Sequence, residues 1–105
     1  MNRISVNDIE RHIEILNVMF KLHTERWRFD KSEKRLVANV GTFYLYHDLT
    51  GYRLEQVCNK HGGASDRSPI GTKREVYDYL RAMIQGIELY KLYCIALSEV
   101  DFTEL

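Results

Sequence analysis

The chain is short of the residues that mark special chemistry or special environments. It has two cysteines, Cys58 and Cys94, one proline, Pro69, and a formal net charge of zero over 105 residues. Two cysteines without a secretion signal make no disulfide framework, so both read as free thiols in a reducing cytoplasm. No apolar run comes near the ~20 residues that cross a bilayer, which excludes a helical membrane span. The start, Met1-Asn-Arg-Ile-Ser-Val-Asn-Asp8, lacks the apolar centre of a signal peptide, so a cytoplasmic location and no membrane partner are expected. The overall basic excess usual in proteins that coat nucleic acid is missing as well. With no repeat, low-complexity tract or linker, residues 1–105 read as a single domain.

What is present is enough for a core. The hydrophobic fraction is 45% and the charged fraction 29%, the balance of a globular domain rather than a disordered one. The charge is unevenly placed. Residues 53–74 carry five Lys/Arg against two Asp/Glu, and residues 75–105 carry two against six. A local basic loop beside an acidic C-terminal segment favours a small anion or a protein partner over long tracts of phosphate.

Residues 5–22 read as a first helix. Val6, Ile9, Ile13, Leu16 and Phe20 recur at spacings of three and four, and Ser5 with Asp8, or Asn7 with Glu10, can cap its start. Ile15, Val18, Met19 and Leu22 widen the apolar face, which calls for a second packing partner or a partner subunit. Residues 23–35 interleave five basic side chains with Trp27 and Phe29, a pattern that can stack bases and hold phosphates, but they read first as a connecting loop, or short strand, whose aromatics plug the core. Residues 36–47 read as strand, whole or broken near Asn39-Val-Gly41. The turn Asp48-Leu-Thr-Gly51, a strand from Tyr52 to Asn59, a bend at Lys60-His-Gly-Gly63 and a short strand at Ala64–Ser68 follow. Thr72 and Glu75 form a capping box for a last helix over 72–98, in which Val76, Leu80, Met83, Ile87, Tyr90 and Cys94 keep helical spacing. Gly86 inside that pattern marks a kink, a helix end or a close approach to another backbone. The fold class is α+β, in the order α-β-β-β-α: a three-stranded antiparallel sheet with both helices packed on one face.

That order resembles a double-stranded-RNA-binding domain. The family contacts RNA through its first helix, a Gly-Pro-x-His type loop and a lysine-rich start to the last helix. Here the loop is Asp48-Leu49-Thr50-Gly51, and Lys73 and Arg74 are followed by Glu75, so the topology carries over and the RNA function does not. The runs Tyr52-Arg-Leu-Glu-Gln-Val-Cys-Asn-Lys-His-Gly-Gly63, Gly71-Thr-Lys-Arg-Glu-Val-Tyr-Asp-Tyr-Leu80 and Met83-Ile-Gln-Gly-Ile87 are similar to small uncharacterised proteins of tailed phages and prophages, over roughly residues 6–88. That resemblance implies a phage accessory protein in the host cytoplasm, with no catalytic residues.

The chemistry worth weighing lies between Asn59 and Glu75. Free N–H groups and the dipole at the start of the last helix attract anions. Lys60, His61, Arg67, Lys73 and Arg74 can supply charge-assisted donors, Gly62 and Gly63 a close backbone approach, and Thr72 the cap. Against this, a turn and a capped helix start explain the same residues. Cys58 and His61, with His47, Cys94 or His23, fall short of a zinc set, and no metal or cofactor is expected. The pair His47-Asp48 lacks the all-helical scaffold of the metal phosphohydrolases that use one, and Ser65-Asp66 lacks a nucleophile elbow, so no catalytic residue is assigned. The tyrosines Tyr44, Tyr46, Tyr77, Tyr79, Tyr90 and Tyr93 exceed what one small core can hold, and the last helix shows a Tyr79/Ile84 edge beside its Val76/Leu80/Met83/Ile87 one, which points to association and a homodimer. Two functions follow as expectations. One is a phage-type binding protein with an anion site (nucleotide or nucleic-acid phosphate) at Gly62–Arg74. The other is a protein-interaction module that binds a host factor through a tyrosine-rich surface.

Overall fold

The structure is a computed structural model that describes residues 3–99. In chain order it contains α1 (Val6–Met19), β1 (Trp27–Asp30), β2 (Arg35–Ala38), β3 (Phe43–Asp48), β4 (Gly51–Val57), β5 (Ala64–Asp66) and α2 (Lys73–Glu99). β3, β4 and β5 form a three-stranded antiparallel sheet in that order, and β1 and β2 form a separate antiparallel hairpin. The α+β class and the helix-flanked three-stranded sheet agree with the sequence reading. The hairpin is an addition to it, and the order is α-β-β-β-β-β-α.

Both helices begin at the caps their sequences encode. Ser5 and Asp8 exchange side-chain and main-chain bonds at 2.9–3.1 Å, and Thr72 and Glu75 do so at 3.2 Å. Each box occupies main-chain donors that the first helical turn would leave unpaired. Register places Leu45 opposite Leu54 and Phe43 opposite Gln56, so Phe43, Leu45 and Leu54 share one face of the sheet. That face meets Ile9, Ile13 and Leu16 of α1 and Val76, Leu80 and Ile84 of α2 in a single buried cluster. Phe20, expected in the same stripe, lies past the end of α1 and is 50% exposed, with its ring 5.8 Å from that of Phe43.

Asn17 closes the outer edge of the sheet. Its side chain is 1% exposed; Nδ2 donates to the Phe43 carbonyl at 3.0 Å, and Oδ1 accepts from the Phe43 N–H at 2.8 Å. The amide stands in for a fourth strand at that residue, so the main-chain groups on the free edge of β3 are paired where α1 shuts out water.

The stretch read as a loop with core-plugging aromatics is the β1–β2 hairpin, and its aromatics are outside the core. Trp27 is 40% and Phe29 61% exposed. The turn holds because Asp30 Oδ1 accepts from Ser32 N, Ser32 Oγ and Glu33 N at 2.6–3.1 Å, with Lys34 at φ +55°. The hairpin is tied to the rest through Ala38 N–H, which donates to the Lys60 carbonyl at 2.8 Å.

α2 is longer than the body it packs on. Its 27 residues span about 40 Å, against about 21 Å for the 14 residues of α1. Packing onto the core ends at Ile87, and every residue from Glu88 to Ser98 is exposed. The radius of gyration is accordingly 17.2 Å, where a compact chain of this length has about 13 Å.

Candidate functional site

The basic residues of Asn59–Glu75 do not converge. The turn after β4 is built by Asn59, whose Oδ1 accepts from His61 N–H at 2.9 Å and Gly63 N–H at 3.0 Å. Gly62 sits at φ +94° against Trp27, where a methyl group would come within 2.5 Å of the ring. Its freedom serves the turn and the docking of the hairpin, not an approach to a ligand. Lys60 Nζ is engaged by Glu33 Oε1 at 2.7 Å, and His61 is exposed. Arg67 Nε donates to Gln56 Oε1 at 2.7 Å.

Thr72, Lys73 and Arg74 lie at the other end of β4. After the turn the chain retraces that strand, with Ala64 opposite Val57 and Gly71 opposite Tyr52. Five residues of extended chain separate those two pairs, about 17 Å. Lys60, His61, Gly62 and Gly63 are therefore held a strand length from the helix start, with Arg67 between. The single cluster of Lys60, His61, Gly62, Gly63, Arg67, Thr72, Lys73 and Arg74 expected from sequence is not assembled. Proximity in sequence misled because a returning antiparallel strand carries the chain away from its own turn.

The other polar candidates are held in structural contacts. Asp48 accepts from Thr50 N–H at 2.8 Å, the Thr50 hydroxyl and the Tyr46 hydroxyl at 2.8 Å, and the His47 ring stacks on Tyr52 at 4.2 Å. Asp66 pairs with Arg53 Nε at 3.3 Å. The open face of the sheet carries a polar network in which Arg26 Nε is buried without a hydrogen-bond partner. The Tyr44 hydroxyl donates to Glu55 at 2.7 Å, Arg53 Nε donates to the same carboxylate at 3.0 Å, and the Arg26 guanidinium lies 3.9 Å from the Tyr44 ring centre. Burial, then the bond to Glu55, push the Tyr44 hydroxyl up to about 12. Both cysteines are free and exposed, and among the described residues no group of three His, Cys, Asp or Glu is placed to hold a metal.

Asp48 offers a direct check on these contacts. The Thr50 hydroxyl bond, followed by that of Tyr46, holds its carboxyl down at about 2. A pKa depressed in the folded state means that the Asp48 contribution to stability is complete above the ordinary carboxylate pKa and is lost as pH falls through about 2. Carbon-detected NMR titration should place the Asp48 midpoint near 2; a midpoint near the usual carboxylate value would show that the turn is not closed in solution.

Among the described residues, an apolar surface without an internal partner lies on α2, and the sequence points to it through Gly86, the tyrosine count and the Tyr79/Ile84 edge, of which Ile84 is buried in the core. At 100° per residue, Tyr79, Ala82, Gly86, Leu89, Tyr93 and Ala96 align along one side of α2, flanked by Tyr90 and Leu97. Tyr79, Leu89, Tyr90 and Tyr93 are 41–67% exposed. The three charged residues between Tyr79 and Leu97 are Arg81, Glu88 and Lys91, and periodicity places all of them on the other flank. There Arg81 and Glu88 share a cleft with His12 and Ile15 of α1. Gly86 is not a helix end and, among the described residues, not an internal close approach. The helix runs through it, and a methyl group there would meet nothing within 4 Å.

No protein-family model, curated protein or solved structure gives a significant match to this chain.

Proposed function

We propose that this chain is a non-catalytic protein-association module whose working surface is the exposed apolar side of α2. The observation that carries the reading is the half of α2 beyond Ile87. It stands clear of the fold, yet Leu89–Ser98 contains one charged residue, Lys91. A helix that is apolar over most of its circumference is stable in water when something covers it. Tyrosine suits such a surface, because its ring buries well while its hydroxyl stays solvated when the partner is absent. The resemblance to small tailed-phage proteins fits an accessory role of this kind, with a host-cell protein or a second copy as partner class. The anion reading retains Lys73 and Arg74 at a helix start whose cap is already occupied by Thr72 and Glu75, and it is the weaker reading of this surface.

Immobilised chain should retain protein from an extract treated with nuclease. The Lys73→Ala/Arg74→Ala variant should retain the same protein, and Leu89→Glu/Tyr93→Glu should lose it. Retention that disappears with nuclease, or that depends on Lys73 and Arg74, would contradict the reading.

A further inference from the structure

We infer that the occupant of this face is a second copy of the chain, packed α2 against α2 about a two-fold axis that crosses near Gly86. The inference rests on the association reading above and names its partner. An interface made by one patch on itself must tolerate its own charge pattern, since each residue can meet its counterpart. The strip Tyr79–Ala82–Gly86–Leu89–Tyr93–Ala96 meets that condition because it is uncharged along its whole length.

The strip also has the relief of a helix–helix contact. Its spacing is three, four, three, four, three, the repeat that keeps one side of a helix on one side of a partner helix. A two-fold axis at Gly86 sets each residue opposite the one equally far on the other side of Gly86, so Leu89 of one copy enters the space beside Ala82 of the other, and Tyr79 meets Tyr93. Gly86 gains a role it lacks in the single chain. It weakens the middle of a helix, and among the described residues nothing lies within 4 Å of where its side chain would be. A second helix crossing at that point turns the missing side chain into close backbone approach.

The area is sufficient. Tyr79, Leu89, Tyr90, Tyr93 and Leu97 are 39–67% exposed. At roughly 100 Å² apiece, with the small residues between them, they bring about 600–800 Å² per copy, within the range of stable specific interfaces. The cleft on the α1 side of α2, lined by Arg81 and Glu88, is the poorer match, because burying it would desolvate charged side chains of both copies.

Sedimentation equilibrium of the native chain at about 100 µM, above the micromolar limit of interfaces of this size, should give twice 12.4 kDa. Leu89→Glu/Tyr93→Glu should sediment as a monomer with an unchanged circular dichroism spectrum. Gly86→Leu separates the local role from the interfacial one. It should raise the melting midpoint of dilute chain by about 3–6 °C and weaken self-association at least about tenfold. A higher midpoint with unchanged or stronger association would overturn the crossing point. A monomeric native chain whose capture of extract protein still depends on Leu89 and Tyr93 would overturn the second copy and leave the association reading standing. A monomer that captures nothing would overturn both.

Discussion

Asn17→Ala is expected to cost about 3 kcal/mol of folding stability, far more than the loss of one polar side chain from a helix surface. The amide is buried and satisfies both main-chain groups of Phe43, at 3.0 Å and 2.8 Å. Its removal leaves a donor and an acceptor unpaired where α1 covers the sheet edge, and each such group costs about 1–3 kcal/mol. Asn17→Leu separates this from packing. Leucine restores the volume but neither bond, so it should recover little of the loss. Urea unfolding at fixed protein concentration measures both variants; a cost below about 1 kcal/mol for Asn17→Ala would mean that water replaces the amide.

The second large effect belongs to the core. Leu80 is 0% exposed and sits in the cluster joining α1, α2 and the sheet. Leu80→Ala should cost about 2–5 kcal/mol through lost burial and a residual cavity. The upper half of that range is expected, because Leu54 and Leu16, on the sheet and on α1, are themselves fully buried and hold the site open. For a domain of this size the loss approaches the whole of its stability. Leu92→Ala on the exposed half of α2 is the control, and should change the stability of dilute chain by less than about 0.5 kcal/mol.

Local signals carried much of the fold. Ser5 with Asp8 and Thr72 with Glu75 marked helix starts that are observed as reciprocal caps. Asp48-Leu-Thr-Gly51 marked the β3–β4 turn, and the break near Asn39–Gly41 separates β2 from β3. Ile9, Ile13 and Leu16 were legible as core because burial follows helical period there.

Features set by distant parts of the chain were not legible. The β1–β2 hairpin hides because Trp27, Phe29 and Leu36 stay largely exposed, so no alternation of buried and exposed positions betrays it. Asn17 looks like a polar break in an apolar helix until Phe43 is placed beside it. Lys60, His61, Arg67, Lys73 and Arg74 look like one cluster until the return along β4 sets their ends about 17 Å apart. Gly86 stands out by propensity alone, and among the described residues the structure removes a helix end and a close backbone approach as its reason.

Amide hydrogen exchange across Leu89–Ser98, followed as the protein concentration is raised, tests the claim that this part of α2 is an association surface. Inside one chain the segment is exposed throughout, so its amides should exchange rapidly in dilute solution. Protection should rise with concentration in native protein and stay low in Leu89→Glu/Tyr93→Glu. Protection that is the same at every concentration, in native and variant alike, would contradict the account.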